Sequence, residues 1–466
     1  MFLPESEKAG FATESALRRR KTFTTNSKIW PTACDSNQAL RPTGIDPANK
    51  EVPNPMKLVS TAALATALTG IASFAAADCG IASGSVRILS NDFPALHAVA
   101  AGAEACATDS VEVTKNQTTE HKDIQVAALT PNPAQYTVAV VSNSSIVPLL
   151  NGDLIRPLDD LIAAHGADLQ KNQLITIGGE VKAVAFMANA QHLFYRKDVL
   201  ETVGVEVPTT YAEVIEAAEA IRAAGLMDHP VALNTKSGWN LAEEFVNMYL
   251  GFGGSFFEPG SAAPSINNDA GVAALEMLKA LSEYSNPDFL TFDSNATQAL
   301  WEGGEIALGI MWGSRGAGIL DDEGSTEEIV SNTILAMAPK ITADGRPAST
   351  LWWDGFTIAK NISDEDAEAS YIAMVNGASP ETVAANNDAA VWLVPGYEPG
   401  PVSAGIFETA QAGAAPYPMV PYMGLLHTAL GNELSTFMQG GESAEQALAD
   451  AEAAYTTAAR EQGFLQ

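Results

Sequence analysis

Beyond residue 84 the chain repeatedly switches from a short apolar run with strand spacing to a helical run, and that alternation restricts it to an α/β architecture. Residues 85–90, 111–114 and 136–141 read as strands, with Ala-rich or amphipathic helical stretches at 95–107 and 118–129 between them. Strands separated by helices tend to pair in parallel, so a largely parallel, doubly wound sheet is predicted. Ligands of such sheets gather beyond the carboxyl ends of the strands. The loops to watch are therefore Asn91-Asp92-Phe93 and 142–145.

The middle of the chain changes texture. Residues 181–186 form a buried-strand pattern, 193–200 turn into helix, and Pro208-Thr209-Thr210 introduces a helix over 211–224, with Thr as its cap. Helical spacing returns at 241–250 and 271–284, and short apolar runs at 306–311 and 335–339 read as strands. After Lys360 the pattern is mostly helical, ending in the Ala-rich stretch 444–460. A chain of 466 residues can bury two or three cores. With no solenoid-scale repeat and no low-complexity linker, two lobes with more than one crossing between them are expected.

Charge excludes one class of partner. With 25 Lys and Arg against 56 Asp and Glu, the net charge is −31, and a phosphate backbone would meet general repulsion. No nucleic-acid partner is expected. Met56-Lys57, the uncharged stretch 58–74, Ala75-Ala76-Ala77 and Asp78 have the order of a secretory signal peptide over 56–77, cleaved after Ala77. Residues 1–55 then read as an upstream extension outside the fold. No later segment approaches 18 uninterrupted apolar residues, so a mature chain that is not membrane-embedded is expected. Cys79 and Cys106 make an even pair in an exported protein and read as one disulfide. The histidines His97, His121, His165, His192, His229 and His427 are scattered, with no i,i+4 pair, so neither a metal nor another cofactor is expected.

Four segments carry a resemblance. Leu193-Phe194-Tyr195-Arg196-Lys197-Asp198-Val199-Leu200, then Gly204 and Pro208-Thr209-Thr210-Tyr211-Ala212-Glu213, is the first. Trp301-Glu302-Gly303-Gly304-Glu305-Ile306-Ala307-Leu308 through Trp312-Gly313 is the second. Trp353-Asp354-Gly355-Phe356-Thr357-Ile358-Ala359-Lys360 and Gly440-Gly441-Glu442-Ser443-Ala444-Glu445-Gln446-Ala447-Leu448 complete the set. Their order and spacing resemble the solute-binding proteins of carbohydrate ABC importers, the broad class that includes maltose-binding protein; Arg196 stands where that class usually has Asn. The resemblance implies two α/β lobes joined by hinge segments, with a sugar bound in the cleft between them. Lobe 1 would take about 84–188 and 356–408, and lobe 2 about 191–350 and 409–466. The partners implied are a small-molecule carbohydrate and the transmembrane subunits of an ABC permease, the protein itself being a monomer.

A sugar offers apolar C–H faces and a ring of hydroxyls, so its site needs flat aromatic side chains and planar polar groups. Six of the seven Trp follow residue 78. Trp239, beside Gly238 at a helix start, and Trp312, at a strand end, suit stacking platforms. Of Trp352 and Trp353, neighbours on a strand, one should face the cleft and the other pack. Trp301 and Trp392 read as core. Asn91 and Asp92, and Asn143 and Ser144, close the first and third strands, with helix capping as the competing role. Arg315 could bind a hydroxyl or an acidic sugar, and Asp354 could accept from paired hydroxyls. His192 lies at the expected first crossing, and Tyr422 falls where the class offers a further aromatic. Nothing catalytic is expected. A secreted carbohydrate-active enzyme, or a binding protein for a non-sugar solute such as a polyamine, remain the alternatives.

Overall fold

The computed structural model describes residues 79–166, 168–321 and 323–466. The segments expected to be an upstream extension, 1–55, and a signal peptide, 56–77, lie outside the described residues. Among the described residues no helix is long and apolar enough to cross a membrane.

Apolar runs with β-branched residues produce β1 (Gly84–Ser90), β2 (Val111–Gln117) and β3 (Val138–Ser142), and all three are parallel in the order β2-β1-β3. Helices Pro94–Glu104 and His121–Leu129 make the connections. A short β4 (Leu174–Ile177) then pairs with β5, which runs unbroken for 17 residues from Glu180 to Arg196. The sequence pattern predicts a strand over 181–186 and a turn into helix over 193–200; the helix begins only at Lys197, and the strand instead continues to Arg196. Asn189 and Gln191 interrupt its apolar run, yet both are buried where the strand passes from one half of the molecule to the other.

Beyond β5 come β6 (Val231–Leu233), β7 (Leu308–Trp312) and β8 (Thr333–Ala336). The carboxyl-terminal part of β5 pairs with β7 through Gln191 to Tyr195, and with β8 through Leu193 to Arg196. The chain returns along β9 (Thr350–Ile358), which lies between β3 and the amino-terminal part of β5. Two short strands finish the sheet, β10 (Val391–Trp392) on β5 and β11 (Ala415–Pro416) on β9.

The predicted largely parallel sheet is therefore mixed. β9 is antiparallel to both β3 and β5, and β5 is antiparallel to β7 and β8, because β5 and β9 carry the chain across in opposite directions. The division expected at about 408 falls inside helix Ala404–Gln411. Helix Ala404–Gln411 packs on the second half, where Glu408 and Thr409 accept the amide N–H groups of Met337 and Ala338.

Each half has its own core. Val86, Ile88, Leu96, Phe186, Phe356 and Tyr371 bury one, and Leu193, Val214, Phe245, Leu275, Leu430 and Tyr455 the other. At about 1.5 to 3 kcal/mol per large apolar side chain, these contacts dominate the stability of each half. The Thr cap expected before 211 is present: Thr210 Oγ1 accepts from the Glu213 amide at 3.3 Å, and Glu213 Oε2 accepts from the Thr210 amide at 3.0 Å. Trp301 and Trp392 are core residues, as expected.

Cys79 and Cys106, 27 positions apart, are bonded, tying the start of the described chain to the end of helix Pro94–Glu104. Closing a loop of that length constrains the unfolded chain by roughly 3 kcal/mol. Replacing both cysteines with serine should lower unfolding stability by about that amount in chemical denaturation. An unchanged midpoint would show that the bond adds nothing.

Candidate functional site

The loops at the strand ends meet the start of helix Trp239–Gly251 around a cavity of about 360 Å³. Its wall comes from both halves. Asn91, Lys122, Ser142 and Asp354 approach from the first, and Lys236, Trp239, Trp312 and Arg315 from the second.

Three indoles form the aromatic wall. Trp239 and Trp312 lie at 28° with centroids 6.4 Å apart, and Trp352 stands edge-on to both at 5.7 Å. Trp239 opens its helix directly after Gly238, whose φ of 98° is easy only for glycine. Its ring is backed by His427 at 4.8 Å. Burial pushes the His427 pKa down to about 3, so the ring is neutral. Nε2 then donates to the Trp239 carbonyl at 2.9 Å, and Nδ1 accepts the Tyr417 hydroxyl at 2.9 Å.

Trp352 is held from behind. Its Nε1 donates to Thr350 Oγ1 at 2.7 Å and to Glu243 Oε1 at 3.2 Å. Glu243 is fully buried, and its Oε2 has no hydrogen-bond partner among the described residues. Burial pushes its pKa up to about 8, while Thr350, Lys122 and Trp352 pull the other way. Asp354, two residues along β9, is pushed up to about 7 by burial against the pull of Lys122.

Lys122 is the residue the sequence reading passed over. Its Nζ sits 3.4 Å from the centroid of Trp239 and 5.8 Å from that of Trp352. A cation on an indole face is stabilised by about 0.5 to 2 kcal/mol. Burial pulls its pKa down to about 8, opposed by Asp354 and Glu243. Asn189, which joins β5 to the loop after β7 through the hydroxyl and amide of Ser314 at 3.1 and 3.2 Å, was also passed over.

The expected site residues divide. Asn91, Trp239, Trp312, Arg315, Trp352 and Asp354 border the one cavity. The others do not. Asp92 pairs with His97 at 2.6 Å and is not part of the lining, though its charge acts on Arg315. Asn143 is a brace, accepting the Trp353 amide at 2.9 Å and donating to the Leu351 carbonyl at 3.4 Å. Ser144 lies beside Ser142, their hydroxyls 3.5 Å apart, but only Ser142 reaches the wall. His192 is buried on Phe194 at 4.7 Å, its pKa pulled down to about 4. Trp353 takes the opposite face of β9 from Trp352 and packs against the cluster around Val141 and Ile146. Tyr422 donates to the Ser261 carbonyl at 3.1 Å and packs on Phe257. Among the described residues no group of three or more His, Cys, Asp or Glu could hold a metal ion.

This arrangement has relatives. A family profile described as bacterial extracellular solute-binding protein matches residues 92–385. The chain belongs to that family. A mannitol-binding protein of Pseudomonas aeruginosa is 22% identical over 327 residues, 63% of this chain and 72% of the relative. A probable ABC transporter-binding protein of Deinococcus radiodurans is 25% identical over 53% of this chain and 62% of its own length. Among solved structures, maltose-bound T. maritima MalE3 matches with a TM-score of 0.70 at 19% identity, over 81% of this chain and 100% of the other. A solute-binding protein from Agrobacterium radiobacter K84 in complex with ribitol matches at 0.71 and 19%, over 80% and 98%. At such identities the likeness establishes the two-lobe fold.

Within this solute-binding protein the wall of the cavity should be sensitive to pH. Glu243 and Asp354 bind protons more readily folded than unfolded, so each stabilises the fold at low pH. That contribution is lost as the pH rises from about 4 through 7 for Asp354 and 8 for Glu243. Lys122, with its pKa lowered, adds its opposite change only above about 8. Raising the pH from 5 to 8 should therefore lower the melting temperature of the native protein more than that of Glu243→Gln. Equal slopes would show that Glu243 keeps its ordinary pKa.

Proposed function

We propose that this chain is the carbohydrate-binding component of an ABC importer, exported through the signal-like segment 56–77, and working in the periplasm. In this reading a sugar or polyol binds between the halves and is passed intact to the transmembrane subunits of a permease. The observation that carries it is the wall of Trp239, Trp312 and Trp352 beside Asn91, Asp354 and Arg315, which offers flat apolar faces and planar polar groups at one cavity. Support comes from relatives whose names or bound ligands are mannitol, maltose and ribitol.

Closure needs no bond-making step. β5 and β9 pass between the halves, and bending at these crossings would bring the two walls of the cavity together over the ligand. A micromolar dissociation constant corresponds to about −8 kcal/mol, within reach of stacked rings and several satisfied hydrogen bonds. A ligand stacking on Trp239 must first displace the Lys122 ammonium, which then points into the cavity as a donor.

A thermal-stability screen across mono- and oligosaccharides and alditols, with recovery of the ligand afterwards, tests this reading. Stabilisation with the carbohydrate returned unchanged is expected. Trp239→Ala should weaken binding by about 1 to 3 kcal/mol, the usual cost of removing an aromatic anchor. Turnover of the carbohydrate would favour a secreted enzyme instead, and unchanged affinity in Trp239→Ala would remove that indole from the site.

A further inference from the structure

The cavity gathers cations that are scarce in the chain, beside the carboxylates of Glu120, Asp123, Asp293 and Asp354. Although the protein has only 25 basic residues among 466 and a net charge of −31, three of them, Lys122, Lys236 and Arg315, border this one cavity. Lys236 is paired with Asp293 at 3.1 Å. The other two are not paired: among the described residues neither has a carboxylate within 4.0 Å of a side-chain nitrogen.

Arg315 is the stronger observation. It is 7% exposed, and among the described residues its side chain makes one hydrogen bond, from Nη2 to Ser294 Oγ at 2.9 Å. A guanidinium has five N–H donors in a planar fork, and burying that charge without a counter-ion is costly. The fork matches a carboxylate in bidentate geometry better than it matches a hydroxyl. Lys122 is the second observation. Its ammonium rests on the Trp239 face that a sugar ring would cover, so a ligand that displaces it must offer it another partner.

Carboxylates act on both cations from beyond ion-pair distance, Asp293, Asp92 and Glu302 on Arg315 and Asp354, Glu243 and Asp123 on Lys122, and among the described residues none bonds to them directly. Asp293 is committed to Lys236 and to the amides of Asn295 and Ala296. Glu120 and Asp123 are exposed at the mouth of the cavity. Asp354 lies on the inner wall, where burial favours its neutral form, and it does not come within ion-pair distance of Lys122.

Resting on the sugar-binding reading above, we propose that the preferred ligand is an acidic carbohydrate, a uronic or aldonic acid or an oligosaccharide containing one, whose carboxylate is held by Arg315 and Lys122. The indoles take the sugar's C–H face, and the two cations take its charge. A neutral polyol would leave the buried guanidinium without a directly bonded carboxylate, which gives the site its selectivity.

Calorimetric titration of the purified full protein with glucuronate, galacturonate, gluconate and digalacturonate, each beside its neutral counterpart, tests the proposal. At least tenfold tighter binding of the acid is expected at neutral pH. Raising the salt from 50 to 500 mM should weaken the acid severalfold more than a neutral sugar, a readout that needs no substitution. Arg315→Met and Lys122→Met should each reduce the preference about tenfold, with Arg315→Lys retaining part of it. Equal or tighter binding of the neutral partners would overturn the inference and leave the sugar-binding reading standing. Binding of neither series would overturn both.

Discussion

The structure depends on a single strand that belongs to two sheets. β5 is paired with β9 in the first half and with β7 and β8 in the second, so the halves are joined by continuous backbone hydrogen bonding as well as by loops. The crossing is polar and buried, a combination that is stable only when its groups find partners. Gln191 supplies most of them. Its Nε2 donates to Glu244 at 3.0 Å, its Oε1 accepts from Asn247 at 2.8 Å, and its carbonyl accepts the Ser349 hydroxyl at 2.7 Å. Through Asn247 and Thr350 the same network reaches Glu243 and the back of Trp352. What fixes the crossing therefore also fixes the aromatic wall.

This coupling explains why two acidic residues are tolerated in the interior of helix Trp239–Gly251. Glu243 and Glu244 are both buried, and burial pushes both carboxyl groups upward. One faces the indole and the other the crossing strand. Each positions a group that the cavity needs, at a cost in stability that the surrounding apolar core offsets. Lys122, from the first half, rests on Trp239, from the second, and so holds a place on the ring that a ligand would take.

The sequence disclosed the scaffold better than the details of the site. Strands β1 and β3 and the capped helix after Thr210 were legible because their signals are local: an apolar run, or a Pro and a Thr just ahead of a helical pattern. Trp239 and Trp312 were legible because one begins a helix and the other ends a strand, and the Trp352/Trp353 pair because neighbours on a strand face opposite ways. β5 was not, since Asn189 and Gln191 look like a break until their partners from distant segments are in place. Lys122 was missed because a lysine in the first turn of a helix reads as solvated surface. The rule that singled out Asn91 and Ser142 applies equally to the loop after β2, which carries Lys122 to the cavity. His192 and Tyr422 have the right chemistry for a sugar site, but packing against Phe194 and Phe257 turns them elsewhere.

The account stands or falls on what occupies the space between the halves. A crystal structure of the protein grown with the carbohydrate that raises its melting temperature most is the most direct test. An unbroken sugar in van der Waals contact with Trp239 and Trp312, its polar groups reaching Asp354 or Arg315 and the Lys122 ammonium moved off the indole, is the expected result. A ligand bound outside this cavity, or found cleaved within it, would contradict the account.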